Sequence, residues 1–164
     1  MTYAPTRAHL ATPIGIVEIF GDDALIDGIT IHPQLANPTM MAPPKSGALA
    51  AAAEQLQGYF SGTRRAFDLP LAPANTTRGS ALRAAIASVA YGTSATYGQL
   101  ARAHASSSRA MGQACARNPF PIVIPCHRVT SSGGAKENYS GGDGAATKAW
   151  LTAHEARVAG KTLL

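Results

Sequence analysis

An α+β fold is predicted, with strands at the front of the chain and helices behind them, and three observations predict it. Residues 10–31 form apolar runs of strand length around a Gly-Asp-Asp turn, and the later segments repeat at helical period between turn signals. A stretch rich in Pro, Asn and Thr, residues 72–79, separates the two patterns. The charge divides there as well: residues 1–79 hold five Lys/Arg against six acids, whereas residues 80–164 hold nine against three. Two subdomains are therefore expected, an α/β unit over 1–75 and an all-helical unit over 76–164.

The elements follow in order. Leu10 to Phe20 is predicted as one strand, Gly21-Asp22-Asp23 as a turn and Ala24 to Ile31 as a second strand, together a hairpin. Pro33 to Pro44 reads as loop. Ser46 is the predicted N-cap of a helix whose apolar positions Ala48, Leu49, Ala52, Ala53, Leu56, Tyr59 and Phe60 share one face, with Gly62 ending it. Phe67 to Leu71 is a short strand candidate and Ala72 to Gly79 a linker. The second unit begins with an alanine-rich helix from Ser80 to Ala90. Thr96-Tyr97-Gly98-Gln99 then has the form of a capping box, in which the threonine hydroxyl and the glutamine amide satisfy each other's backbone donors. Ser106-Ser107-Ser108 offers a further N-cap, after which Ala110, Met111, Ala114 and Cys115 share one face. Ser108, Arg109, Gly112 and Gln113 share the other. This spacing fits a helix-turn-helix and an ordinary helical hairpin equally well.

A chain of 164 residues can bury a core without staples, and two cysteines outside any Cys-x-x-Cys pair point to a reducing compartment. Neither a charged start with an apolar run behind it nor a stretch of eighteen apolar residues is present, so a cytoplasmic protein without membrane contact is expected. The basic second half suggests a polyanion partner, most simply nucleic acid. His9, His32, His104 and His154 are scattered, and no metal-ligand spacing joins them to a cysteine, so neither metal nor cofactor is expected.

The most informative residues are Ile124-Pro125-Cys126-His127-Arg128-Val129. A thiol flanked by proline, histidine and arginine has a rigid approach and neighbours that favour thiolate, which makes Cys126 a candidate nucleophile. The competing reading is a small apolar core residue, since free cysteine is often buried. Cys115, on the apolar helix face, fits that reading better. Three prolines between Pro119 and Pro125 predict an extended, stiff path that holds Cys126 at a fixed distance from the preceding helix.

With Thr96-Tyr97-Gly98-Gln99-Leu100-Ala101, Ser108-Arg109-Ala110-Met111-Gly112, Arg117-Asn118-Pro119, the Pro-Cys-His-Arg-Val core, Asn138-Tyr139-Ser140-Gly141-Gly142, and Lys148-Ala149-Trp150-Leu151 through His154-Glu155 in this order, the chain resembles the O6-alkylguanine-DNA alkyltransferases. The resemblance covers roughly residues 77–160, with a looser match in Thr12-Pro13-Ile14-Gly15 and Tyr59-Phe60-Ser61-Gly62. It implies a small ribonuclease-H-like first subdomain with antiparallel strands and a helix-turn-helix, winged-helix-like second one. It also implies stoichiometric transfer of an alkyl group from O6-alkylguanine, or from O4-alkylthymine, in double-stranded DNA to Cys126, by a monomer that is consumed.

The site roles that follow are implied by the resemblance. The flipped base would be attacked by Cys126, with His127 taking the thiol proton through a water, Glu155 orienting the imidazole and Tyr97 giving a proton to the departing guanine. Asn118, Val129, Tyr139, Ser140, Gly141 and Lys148 would surround the substrate. Ser108, Arg109, Ala110, Gly112, Gln113 and Arg128 would meet DNA, Arg109 filling the place of the flipped base. Read alone, Tyr97 is equally a packing residue, Arg109 a solvated charge and Asn118 a turn former. A lesion-binding relative without transfer and a helix-turn-helix regulator with an inert thiol are the alternatives. The segment Asp143 to Thr147 is two residues longer than the family's pattern, which bears on the pocket lid.

Overall fold

Alternating apolar residues build the first sheet. The computed structural model describes residues 6–34, 40–132 and 139–161, and the chain divides into two units, 1–72 and 73–164. In the first, β1 (Thr6–Thr12), β2 (Gly15–Gly21) and β3 (Ile26–His32) form an antiparallel meander in the order β1-β2-β3. Ala8 lies opposite Ile19 and Leu10 opposite Val17, and Val17 and Ile19 lie in turn opposite Ile31 and Ile29. All six are buried on one face. Over this face packs α1 (Ala48–Ser61), presenting Leu49, Ala52, Ala53, Leu56 and Tyr59.

The single strand expected over residues 10–20 is two strands. Its alternation runs on unbroken through a tight turn at Pro13-Ile14, because Ile14 is itself buried and so continues the pattern. Thr12 Oγ1 fixes that turn, donating to the Gly15 carbonyl at 2.7 Å and accepting from Ile14 N–H at 3.2 Å. Gly15 has φ 113°, and a Cβ there would lie 2.2 Å from the His32 carbonyl oxygen, so the site excludes any side chain. Ser46 is not the cap of α1. Gly47 takes that position, and the first helical N–H, that of Ala48, is satisfied by the Asp23 carbonyl at 2.9 Å. Of residues 67–71, expected as a strand, only Leu71 bridges, to Ile26. The Gln55 side chain supplants pairing for Asp68 by bonding both its N–H and C=O at 2.9 Å.

In the second unit α2 spans Thr77–Ala87, starting three residues before Ser80 because Thr76 Oγ1 accepts from Gly79 N–H at 2.9 Å. The supposed linker is thus partly helix. α3 (Tyr97–Ala103) opens on the complete Thr96–Gln99 capping box, and α4 (Ser108–Ala116) on Ser107, whose hydroxyl accepts from Ala110 N–H. α4 packs against both α2 and α3. The α3–α4 turn places Ala105 at φ 51°, a conformation that favours glycine.

The expected extended path over residues 117–125 is instead a set of turns. Ile124 N–H donates to Phe120 O and Cys126 N–H to Ile124 O, and Pro125 at φ −82°, ψ 62° forms an inverse γ-turn. Proline excludes helix here but fixes turns as readily as strands. Cys126–Arg128 then makes one 3₁₀ turn. Nor is the unit all helical. β4 (Ala95–Thr96) pairs in parallel with β5 (Val129–Thr130), tying the start of α3 to the residues after the 3₁₀ turn. α5 (Ala145–Val158) packs on that turn. No helix among the described residues is long and apolar enough to cross a membrane.

Candidate active site

The turn at Pro125 and the 3₁₀ turn after it set Cys126 and His127 in different surroundings. Cys126 is 4% exposed and lines a cavity of about 240 Å³ with Tyr97, Gly112, Cys115, Ala116, Tyr139 and Ser140. His127 is buried behind it, where its Nε2 lies 2.6 Å from Glu155 Oε2 on α5. The other ring nitrogen, Nδ1, is buried without a protein partner among the described residues.

Glu155 is the hub of this arrangement. Besides His127, it accepts from Arg128 Nε at 2.8 Å, Arg128 Nη2 at 3.1 Å and the Gly92 backbone N–H at 3.1 Å. Arg128 Nη1 donates to the Val89 carbonyl at 2.8 Å, and the guanidinium lies 5.4 Å from the Tyr91 ring centre. The Gly92 amide and the Arg128 fork thus hold the carboxylate from two sides. Burial alone would raise the Glu155 carboxyl, but the hydrogen bonds and charges of His127 and Arg128 outweigh it and hold it well below the usual carboxylate range. Burial pushes the His127 imidazole below its ordinary value, opposed but not reversed by Glu155. A neutral ring whose Nε2–H donates to a carboxylate has its lone pair on Nδ1, ready to accept a proton.

The thiol does not rest as thiolate. Burial pushes Cys126 above its ordinary value, and the hydrogen bond from Asn118 Nδ2 at 3.2 Å with the nearby Lys148 charge offsets only part of that. The sequence argument that neighbouring cations favour thiolate is outweighed by desolvation. Asn118 stands just past the end of α4, and its Nδ2 also donates to the Ile124 carbonyl while its Oδ1 accepts from Phe120 N–H. Asn118 thus ties the end of α4 to the proline-rich turns through backbone hydrogen bonds, with an added contact to the sulfur.

The remaining expected residues are less concentrated. Tyr97, Tyr139 and Ser140 line the cavity. Lys148, expected there, is buried behind it with Nζ donating to the Val129 carbonyl at 2.7 Å; Val129 is fully buried and gives the cavity no wall. Gly141 accepts from Gly144 N–H in the turn before α5, where Thr147 Oγ1 caps Asp143 N–H. On α4, Ser108, Arg109 and Gln113 are exposed, Gly112 faces the cavity and Ala110 is buried against the core. Arg128, expected at the DNA, is instead buried, with Nε 2.8 Å from Glu155 Oε1 and Nη1 on the Val89 carbonyl, so its charge is met inside the fold. Asn138 and Glu137 lie outside the described residues.

Three contributors are not singled out for the site by the sequence. Cys115 and Ala116 line the cavity, and their spacing from Gly112 on one helix, i, i+3 and i+4, was the available signal. Gly92, with φ 71°, had only its turn context. Away from the site, the scattered histidines of the first unit converge. His9 and His32 both bond Glu18, at 2.9 and 3.1 Å, a cluster made by strand register. No group of three or more His, Cys, Asp or Glu among the described residues is placed to hold a metal ion.

Comparison with known proteins bears directly on this unit. A family model described as 6-O-methylguanine DNA methyltransferase, DNA binding domain, matches residues 80–157. A methylated-DNA–protein-cysteine methyltransferase of Methanosarcina acetivorans is 39% identical over 93 residues, 56% of this chain and 60% of that protein. The chain therefore spans less than two thirds of that relative. The Mycobacterium leprae protein of the same name is 31% identical over 134 residues, 80% of this chain and 81% of its own. Mycobacterium tuberculosis OGT, crystallised in complex with DNA, matches with a TM-score of 0.78 at 27% identity over 93% of each chain. The buried thiol, the histidine–glutamate pair and these likenesses agree, and the chain belongs to the methylated-DNA–protein-cysteine methyltransferase family.

Proposed function

We propose that the chain repairs DNA by direct reversal, taking the alkyl group of O6-alkylguanine in double-stranded DNA onto Cys126 once per molecule. The observation that carries this reading is a cavity-facing thiol next to a neutral imidazole whose Nε2 is committed to Glu155 and whose Nδ1 remains to accept a proton. His127 takes the thiol proton, through a water since neighbouring Cys and His side chains do not meet directly. The Cys126 sulfur attacks the alkyl carbon, the carbon–O6 bond breaks with its electrons passing to guanine, and Tyr97 meets the charge that develops on the ring. The product is a thioether, which no group in the site can reverse.

The names of the relatives and the DNA in the mycobacterial crystal support DNA as the partner. So do the exposed Ser108, Arg109 and Gln113 on α4, whose outer face can enter a groove. In this reading Arg109 fills the stack once the base has flipped into the cavity, at an unstacking cost of a few kcal/mol. The protein acts as a monomer in the cytoplasm. The first unit is read as a small ribonuclease-H-like subdomain and the second, with its β4–β5 pair beside α3 and α4, as winged-helix-like.

Intact mass after incubation with an O6-methylguanine duplex tests the reading. One methyl per chain on Cys126 is expected, with Cys126→Ala binding DNA but taking none. Binding without mass gain would point to the lesion-binding alternative, and label on Cys115 or repeated turnover would refute the mechanism.

A further inference from the structure

Tyr139 carries a buried hydroxyl with no well-formed hydrogen bond among the described residues. Such a group is rare in a folded chain, and a role in the chemistry of the site is one of the reasons a fold keeps one. The atom it approaches is the Cys126 sulfur: both residues line the same cavity, and the hydroxyl and sulfur lie close enough to influence each other although no aligned bond joins them. Asn118 Nδ2 donates to the same sulfur at 3.2 Å. Its amide is fixed, with Nδ2 also on the Ile124 carbonyl at 2.8 Å and Oδ1 on Phe120 N–H at 3.0 Å. One neutral donor is thus bonded to the sulfur and a second stands beside it.

A thiol has little use for them, being a weak acceptor, whereas a thiolate is a strong one. We infer that Asn118 and Tyr139 form a two-donor cradle for the Cys126 thiolate, the Tyr139 hydroxyl aligning on the sulfur as the thiol proton leaves. This rests on Cys126 as the alkyl acceptor and gives Tyr139 a task beyond walling the pocket. The thiol proton passes to His127, and the phenol keeps its own. Burial and the adjacent thiol raise the Tyr139 hydroxyl above its ordinary value, so it stays protonated and can only donate. Once the sulfur becomes a thioether it is again a weak acceptor, and the hydroxyl is released.

For a thiol that titrates above ambient pH, lowering its pKa by one unit gives ten times more thiolate and loses roughly threefold in intrinsic nucleophilicity, a net gain of about threefold. A hydrogen bond to a charged acceptor is worth on the order of one such unit. Fixing two lone-pair directions also leaves the sulfur's remaining pair to face the cavity.

Tyr139→Phe keeps the ring and removes only the hydroxyl. Carbamidomethylation of Cys126 by iodoacetamide, scored by peptide so that Cys115 is counted apart, is followed against pH beside single-turnover methyl transfer from an O6-methylguanine duplex. Both profiles should move up by about one pH unit, with rates near neutrality falling about threefold and duplex affinity unchanged. An unmoved iodoacetamide profile overturns the cradle, including where methyl transfer alone falls, since that outcome places Tyr139 on the base. A single 3-fluorotyrosine at position 139 retains ring and hydroxyl and sharpens the donor. It should move both profiles down, and no shift or an upward one overturns the cradle even if Tyr139→Phe fails to fold. A wild type that shows the iodoacetamide behaviour but takes no methyl from DNA refutes alkyl transfer and leaves the cradle standing.

Discussion

His127 Nε2 and Glu155 Oε2 lie 2.6 Å apart, and Arg128, the next residue along, holds the other oxygen of the same carboxylate at 2.8 Å. One buried anion thus holds both an imidazole ring and a guanidinium. Glu155→Gln should leave Arg128 buried without its countercharge, at a cost of about 3–5 kcal/mol in stability. Single-turnover transfer should fall as well, with its pH profile displaced. Chemical denaturation separates the effects: an unchanged midpoint would show that Arg128 finds another partner, and an unchanged pH–rate profile would remove Glu155 from the chemistry.

The same pair makes stability depend on pH. His127 is held below its ordinary value, so between that value and its folded one the unfolded chain binds the extra proton, and stability falls as pH falls. The Glu155 carboxyl, held well below the usual range, adds a second loss of the same sign at more acid pH. Stability should therefore decline below about pH 6.5 by up to about 1.4 kcal/mol per pH unit. His127→Gln should flatten this slope between pH 5 and 6.5. A wild-type midpoint that does not change between pH 7 and 5 contradicts a neutral buried His127.

Arg109 is exposed on the outer face of α4, away from the cavity walls. Arg109→Ala should slow methyl transfer from duplex DNA at least tenfold more than transfer from free O6-benzylguanine, because only the duplex needs the vacated space filled. Equal losses on both substrates would give Arg109 a different task.

Ala105 holds the α3–α4 turn at φ 51°. An L-residue there costs about 1–2 kcal/mol, while glycine loses about 0.5–1 kcal/mol through its freer unfolded chain. Ala105→Gly should thus raise stability by roughly 0.5–1 kcal/mol, or Tm by about 1–3 °C. A lower Tm would mean that the alanine methyl is packed more firmly than its turn suggests.

Legibility followed sequence distance. The Thr96–Gln99 box and the Gly62 stop were readable because cap and partner lie within a few residues. The Pro13-Ile14 turn was not, since buried Ile14 preserves the alternation that signals a strand. At the site, Cys126 announced itself through its neighbours, but its protonation did not. Neighbouring charge is visible in a sequence, whereas the desolvation that outweighs it is made by the whole fold. Arg128 shows the same limit: the resemblance places it at the DNA, and only Glu155, 27 positions away, draws it inside. The His127–Glu155 pair was legible through family resemblance alone.

The proposed function makes the α4 wall of the cavity the limit on substrate size. Gly112, Cys115 and Ala116 are all small, and a Cβ on Gly112 would meet nothing within 4 Å. Thr147, in the longer segment expected to act as a lid, is buried and caps Asp143, so the extra length is spent at the start of α5. On the proposed function, room for a large alkyl group would come from the helix wall. Benzyl transfer should proceed alongside methyl transfer in the wild type, and Cys115→Met, which lengthens the wall by an unbranched thioether, should slow benzyl transfer about tenfold while changing methyl transfer about twofold or less. Burial pushes the Cys115 thiol up to about 12, so removing it takes no competing nucleophile from the site. Paired single-turnover rates with the two substrates decide the matter: if both fall together, Cys115 supports the position of Cys126 and does not set the width of the cavity.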